Sequence, residues 1–266
     1  MNFKNGKIKI DNTDAYYIKF GKGSKKLIII TGVGDGFKVV KGLAMPFSIM
    51  YREFGHDYEV YIFSRRNNLP NNFSIYDMAN DIINHMSDLK IDKASIVGIS
   101  QGGMIAQHIA LNAPEKVDQV VLVVTLARTN EIMNDSIGTW IEMAKNKDYK
   151  NIMIDNAKRS YTGKALNKYL KLYKFIGRFD KKTTYDRFII EANACLNHNT
   201  FNRLNEIKAK TLVIGADKDL VLGSIGSDEL AKYIPNCELY IYDEYSHGVY
   251  EQAKDFNKRV LEFLKK

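Results

Sequence analysis

Residues 94–104 read Ala-Ser-Ile-Val-Gly-Ile-Ser-Gln-Gly-Gly-Met, an apolar run that passes through Gly98-Ile99-Ser100-Gln101-Gly102 into a helical pattern. A Gly-x-Ser-x-Gly motif between a strand and a helix calls for a sharp turn in which the serine takes a strained backbone conformation and stands exposed. Gly98 and Gly102 let strand and helix approach with no Cβ between them. The helix that starts after Ser100 points its free N–H groups and positive dipole end at the place where an oxyanion would form. The pattern alone is weakly specific, and its flanks strengthen it. Residues 94–97 are apolar and follow a turn at 90–93, Met104, Ile105, His108, Ile109 and Leu111 recur at helical spacing, and Pro114 ends the helix. The bland alternative is a tight strand-to-helix turn with an incidental serine.

The chain has 266 residues, enough for one large core or two small ones. Its 45% hydrophobic and 26% charged residues are ordinary for a soluble globular protein. No apolar run approaches the ~20 residues of a membrane span. Residues 1–11 are Lys-rich without an apolar stretch, so no signal peptide is expected. The two cysteines, Cys195 and Cys237, lack metal or redox spacing and read as buried thiols of a cytoplasmic protein. The net charge of +8 comes from lysines spread along the chain, with no readable nucleic-acid module. It reads as a solvated basic surface, with a preference for anionic substrates as the second reading.

Apolar strand runs alternate with helical patterns, which argues for a mostly parallel sheet with helices on both faces. Strands are expected at 7–11 and 15–20 (a hairpin about Asn12-Thr13), 26–31, 59–64, 94–97, 117–125, 210–215 and 238–242. Helices are expected at 37–54, interrupted near Pro46, at 74–89 with Ser74 and Asp77 close to a capping box, at 101–113, and at 250–264 with Ala253, Phe256, Val260 and Phe263 on one face. The alternation fails over 126–207, where only helical periodicities occur: Met133, Ile137, Trp140, Ile141 and Ala144, then Leu166, Tyr169, Leu170 and Tyr173, then Tyr185, Phe188, Ile189, Ala192 and Leu196. The fold class is therefore α/β, a mostly parallel eight-stranded sheet flanked by helices. Its core is 1–125 and 208–266, and an all-helical segment, 126–207, is inserted after the sixth strand. Trp140, Met143, Tyr169, Tyr173 and Phe188 of that segment either line an apolar substrate pocket or pack on one another.

A serine nucleophile needs a base, and the base needs an orienting carboxylate. On a strand-to-helix elbow the chain order is serine, acid, histidine. Of the five histidines, His56, His85 and His108 come too early, and His198 lies in the helical segment. His247 remains, in the loop between the last strand and the last helix, at the same sheet edge as the elbow. The acid belongs in the loop after strand 210–215, which offers Asp217 and Asp219. Asp219 is favoured because Leu220-Val221 would anchor the turn and hold its carboxylate inward. The backbone donors to an oxyanion are expected to be the N–H of Gln101 and that of Val33, or else Gly34, in the loop Thr31-Gly32-Val33-Gly34-Asp35-Gly36. That loop lacks the Lys-Ser/Thr of a phosphate-binding loop and the spacing of a dinucleotide fingerprint.

Taken together, these residues resemble the α/β-hydrolase superfamily over essentially the whole chain, with the helical segment in the cap position. The resemblance implies Ser100 as nucleophile, His247 as base, Asp219 as orienting acid, and Val33 and Gln101 as oxyanion donors. It further implies a serine hydrolase, esterase- or lipase-like, that cleaves a small or medium acyl compound, most simply a carboxylic ester, through an acyl-enzyme. Carbon–carbon hydrolysis, thioester hydrolysis and perhydrolysis use the same triad, and a non-catalytic small-ligand binder on this fold is the alternative of another class. No metal or organic cofactor, nucleic acid or membrane is implied; the expected partner is a small-molecule acyl substrate. Thr31 stands where many relatives have the His of a His-Gly pair. Phe63-Ser64-Arg65-Arg66-Asn67 replaces a common Asp-x-x-Gly-x-Gly loop, so Arg65 and Arg66 either brace that loop or offer a cationic wall to substrate.

Overall fold

The computed structural model describes residues 2–176 and 185–266, so residues 177–184 of the helical segment lie outside the described residues. In chain order the elements are β1 (Phe3–Ile10), β2 (Thr13–Phe20), β3 (Lys25–Ile30), α1 (Ala44–Met50), β4 (Tyr58–Arg66), α2 (Ile75–Asp88), β5 (Ala94–Ile99), α3 (Gln101–Asn112) and β6 (Val117–Val123). Then come α4 (Glu131–Lys145), α5 (Tyr149–Ser160), α6 (Gly163–Ile176), α7 (Tyr185–Leu196), β7 (Lys210–Ala216), α8 (Ile225–Tyr233), β8 (Cys237–Tyr242), α9 (Val249–Gln252) and α10 (Phe256–Leu264). The strands form one eight-stranded sheet in the order β1-β2-β4-β3-β5-β6-β7-β8. The β1–β2 and β2–β4 pairs are antiparallel, and every pair from β4–β3 to β7–β8 is parallel.

The two-residue period of a strand sorts this sheet's side chains into two cores. Ile28, Ile30, Ile96, Leu122 and Val213 face one side, where Met78 and Ile82 of α2 and Ile105 and Ile109 of α3 cover them. Leu27, Ile29, Val97, Val121, Leu212 and Ile214 face the other, with Ala44 of α1 and Val260 and Phe263 of α10. Because both faces are covered, β3, β5 and β6 read as unbroken apolar runs rather than alternating ones. Central β5 is buried along its whole length, and its carboxyl end emerges between the loops that follow β3 and β6.

Four helices differ from expectation. The helix expected at 37–54 is only α1, with Pro46 as its third residue. Proline is tolerated in a first turn, whose N–H groups have no helical acceptor, so the helix starts around Pro46 instead of breaking there. The closing helix is split, since Ala253 is extended (φ −74°, ψ 118°) between α9 and α10. Helices α5 and α8 had no clear periodic signal; in α8 the buried apolar side chain is Leu230 while Ile225 is exposed.

Helix α2 starts as its sequence foretells. The Ser74 hydroxyl oxygen accepts from the Asp77 N–H and the Asp77 carboxylate accepts from the Ser74 N–H. Replacing Ser74 with Ala leaves one first-turn N–H unpaired. It should cost about 1 kcal/mol, which lowers Tm by roughly 2 °C in a chain of this size. Thermal unfolding followed by circular dichroism checks this.

Candidate active site

Ser100 sits at φ 56°, ψ −120°, between β5 and α3. A non-glycine residue there stores of order 1–3 kcal/mol, and the surroundings must hold it. They do so at both ends. The Ser100 N–H donates to the Val123 carbonyl at 2.9 Å. The Ser100 carbonyl accepts from the Gly103 N–H at 2.8 Å and from the Thr125 hydroxyl at 2.8 Å. Steric crowding does the rest: a Cβ on Gly102 would lie 1.9 Å from the Ile30 carbonyl oxygen, and one on Gly98 would lie 2.4 Å from the Gly102 oxygen. Gly32 lies alongside, where a Cβ would be 3.6 Å from Ser100 Oγ. The loop that opens with Thr31 therefore runs past the serine. Gln101 is the first residue of α3 and Val33 opens a short 3-10 turn over 33–36, so their N–H groups precede any helical acceptor.

His247 follows β8. Its Nδ1 lies 2.8 Å from Asp219 Oδ2, with both side chains buried. The other Asp219 oxygen accepts from the N–H groups of Val221 (2.8 Å) and Leu222 (2.9 Å). A carboxylate so committed accepts the hydrogen bond of Nδ1–H, which leaves Nε2 with the imidazole's free lone pair. Asp217 is exposed, so the structure brings Asp219 and not Asp217 to the histidine. The histidine loop is tied to the helical segment: Gly248 N–H donates to the Ser160 carbonyl at 2.7 Å, Ser246 Oγ donates to the Arg159 carbonyl, and Thr162 Oγ1 donates to the Glu244 carbonyl at 3.0 Å.

Ser100 and His247 open into one cavity of about 690 Å³, within the usual size for a small-molecule site. Gly32, Val33 and Gly34 line it beside the serine, Phe47 and Tyr51 come from around α1, and Trp140, Tyr161, Tyr169 and Tyr173 from the helical segment. Of the expected pocket residues, Trp140, Tyr169 and Tyr173 are there and two are not. Phe188 is fully buried and stacks on Phe37 (centroids 4.0 Å apart), so it fixes α7 to the 33–36 turn. Met143 lies on the edge of the α4 apolar stripe and faces a separate surface cleft with Asp135 and Glu142. Glu251 was not foreseen. It lies one helical turn after His247, lines the cavity, and accepts from the Tyr161 and Tyr169 hydroxyls at 2.8 Å each. Burial, and then Glu251, pushes the Tyr169 phenol up to about 12. Thr125 was also missed; its only sequence signal is its place just past the strand beside β5.

Neither Arg65 nor Arg66 lines the cavity. Arg66 pairs with Asp81 (2.5 Å) and Asp11 (2.9 Å). Arg65 turns inward and is buried with Arg187, Asp35 and Glu191. Arg187 donates to Asp35 Oδ2 at 2.5 Å and lies 3.2 Å from Glu191 Oε1, while Arg65 Nε lies 3.9 Å from Glu191 Oε2. Residues 63–66, expected in a loop, are the end of β4; from there Arg65 braces the loop that opens with Thr31, Arg66 ties the strand to α2 and to the β1–β2 turn, and neither forms a cationic wall.

A family model described as alpha/beta hydrolase fold matches residues 27–254. A 2-hydroxy-6-oxononadienedioate/2-hydroxy-6-oxononatrienedioate hydrolase of Burkholderia vietnamiensis is 30% identical over 193 residues, which cover 68% of this chain and 65% of that protein. Among solved structures, MGS-M2, an alpha/beta hydrolase enzyme from a Medee basin deep-sea metagenome library, superposes with a TM-score of 0.85 at 22% identity, covering 98% of both chains. The enol-lactonase from Burkholderia xenovorans LB400 does so with 0.78 at 19% identity, covering 98% of this chain and 100% of that one. Among the described residues no group of three or more His, Cys, Asp and Glu is placed to hold a metal, and no helix is long and apolar enough to cross a membrane.

The buried cluster beneath the site should make stability depend on pH. Glu191 is fully buried and neither carboxyl oxygen receives a hydrogen bond. Burial pushes its carboxyl up to about 8; the Arg187 and Arg65 charges oppose this and the Asp35 charge adds to it. In the unfolded chain the group titrates near 4.5. Between these values the folded state holds a proton that the unfolded chain has released, so this residue's contribution to stability falls as pH rises through the window. Glu191→Gln should remove that slope. The Tm difference between variant and wild type, measured from pH 5 to 8, should shift steadily in the variant's favour. A constant difference would refute the assignment.

Proposed function

The chain belongs to the alpha/beta hydrolase fold family, and on that premise we propose that it is a serine hydrolase cleaving a small or medium acyl compound, most simply a carboxylic ester. One observation carries this reading: a serine held at φ 56° opens into the same cavity as a histidine whose far nitrogen lies 2.8 Å from a buried aspartate. The family and its named relatives support hydrolysis; the ester and the roles of the residues are our inference.

In this reading Ser100 Oγ attacks the substrate carbonyl carbon and His247 Nε2 takes its proton. The carbonyl oxygen becomes an oxyanion, held by the N–H groups of Val33 and Gln101 and by the positive end of α3. Asp219 stabilises the imidazolium and fixes the ring's tautomer. As the tetrahedral intermediate collapses, the bond to the leaving oxygen breaks, His247 returns the proton to it, and an alcohol departs. Water then attacks the acyl-enzyme with His247 again as base. The second intermediate expels Ser100 Oγ, which regains its proton, and the carboxylic acid leaves. Residues 126–207 act as a cap, and Trp140, Tyr169 and Tyr173 exclude water so that the oxyanion donors work at low dielectric.

A second reading has one observation in its favour. Lys38 and Lys254 line the cavity, and the 30% relative is named for a dicarboxylate substrate. Such an oxo-dicarboxylate belongs in the substrate panel, and turnover of it in preference to neutral esters would move the assignment.

Ser100→Ala should lower hydrolysis of p-nitrophenyl esters by about 10⁴-fold or more and abolish covalent labelling by a fluorophosphonate. A folded wild type that neither labels nor turns over any acyl substrate would make this chain a binder. Asp219→Asn should reduce kcat by up to about 10⁴-fold, whereas Asp217→Asn leaves it near wild type; the reverse ranking would move the orienting role to Asp217.

A further inference from the structure

Two N–H groups can share one oxyanion only if the segments that carry them keep a fixed separation. Val33 and Gln101 belong to loops that follow different strands, β3 and β5, and no backbone ladder continues beyond those strands to hold them. One side chain spans the gap. From β4, the Arg65 guanidinium reaches beneath both loops: Nη2 donates to the Thr31 carbonyl at 2.5 Å and to Gln101 Oε1 at 2.7 Å, and Nη1 lies 3.4 Å from Thr31 Oγ1. Thr31 is two residues before Val33, and Gln101 carries the other N–H itself. The Gln101 carboxamide is oriented in turn, because its Nε2 donates to the Glu191 carbonyl of α7 at 2.8 Å. Asp35, in the same loop as Val33, accepts the Arg65 backbone N–H at 3.1 Å and is clamped by Arg187 of α7.

Burying this guanidinium costs free energy that an apolar side chain of the same size would not incur, and its Nε has no hydrogen-bond partner. It does not line the cavity, so substrate binding does not explain its charge. What a planar fork of donors can do, and an apolar or point-charge side chain cannot, is join a carbonyl and a carboxamide on two separate segments at fixed angles.

We propose that Arg65 is a positioning residue of the oxyanion hole, whose guanidinium locks the Thr31–Gly36 loop to Gln101 and so sets the spacing of the two donors. The inference rests on the serine-hydrolase reading above. The test compares wild type with Arg65→Met, Arg65→Lys and Gln101→Leu, which keeps the backbone N–H and loses the carboxamide, both the acceptor for Arg65 and the donor to the Glu191 carbonyl. Measurements are kcat and KM on a p-nitrophenyl ester, the rate of fluorophosphonate labelling at Ser100, and Tm. Misplacing donors of this kind costs up to roughly 100-fold. Arg65→Met should therefore lower kcat and the labelling rate by roughly 10- to 100-fold, with KM within about threefold of wild type. Arg65→Lys, which keeps the charge and loses the fork, should recover only part of the loss.

Gln101→Leu should also lower kcat with KM unchanged, and the double variant with Arg65→Met should be no worse than Arg65→Met alone, since both cut one link. A purely structural role for Arg65 would lower Tm and leave kcat per folded molecule intact; that result overturns the proposal. If Arg65→Met does not fold, Gln101→Leu decides, and an unchanged kcat there overturns it. If wild type itself neither labels nor turns over, the serine-hydrolase reading and this proposal fall together. An active wild type with an equally active Arg65→Met sinks this proposal alone.

Discussion

The Ile30 carbonyl and the Gly102 Cα are packed so closely that no other side chain fits between them. That contact brings the end of β3 against the first turn of α3, and the chain between β5 and α3 can accommodate it only by turning through a left-handed serine. The loop that begins at Thr31 starts from the same carbonyl, so the serine and the first residue of that loop share one fixed point, and the loop beyond it is held by its own side-chain bonds. The strain is held by bonds on both sides of Ser100, including one from Thr125, whose neighbour Val124 is itself at φ 40°. A branched residue in that region is costly, so the strained conformation extends into the adjacent strand's exit.

Features written in short, local patterns were legible in the sequence. The elbow is five residues, the α2 cap is four, and the parallel strands announce themselves by unbroken apolar runs. His247 followed from chain order and topology. Asp219 was legible through its neighbours only in part: Val221 is buried as expected, but Leu220 is exposed and Leu222 takes its place, the N–H groups of Val221 and Leu222 turning back onto the carboxylate. The cavity wall was legible only in part, since Trp140, Tyr169 and Tyr173 line it and Met143 and Phe188 do not. Trp140, Tyr173, Met143 and Phe188 all sit on apolar stripes, and periodicity says which side of a helix is apolar without saying what that side meets. Phe188 meets Phe37, and Tyr173 meets open space beside the serine. Arg65 and Arg66 are adjacent and identical in type, yet they lie on opposite faces of β4, one towards Thr31 and the other towards Asp81. Strand alternation separates them, but which face carries the site is a property of the whole sheet. Helices α5 and α8 were missed because tertiary contacts, rather than a strong stripe of their own, hold them.

Arg65, Arg187, Asp35 and Glu191 make an unusual foundation. Removing ions from water costs several kcal/mol each, and attraction inside the protein offsets this only with good geometry. Arg187 and Asp35 have such geometry; Glu191 does not. Helix α7 therefore docks through two kinds of contact: the Phe188–Phe37 stack supplies apolar burial, and the arginine pair supplies direction. An apolar contact tolerates sliding, whereas a guanidinium bonded to named atoms does not, so the polar half of this interface defines register.

The bonds from residues 159, 160 and 162 to the histidine loop have an architectural consequence. The helices between β6 and β7 form a lobe in sequence only; mechanically, the junction of α5 and α6 is a buttress of the sheet edge beyond β8. A graft of this segment onto another sheet, or its excision, would cut into the support of His247 as well as into the roof of the cavity. The divisible unit is therefore α4 with α7, while the α5–α6 corner travels with the strand-and-loop scaffold in any recombination that keeps the histidine in place.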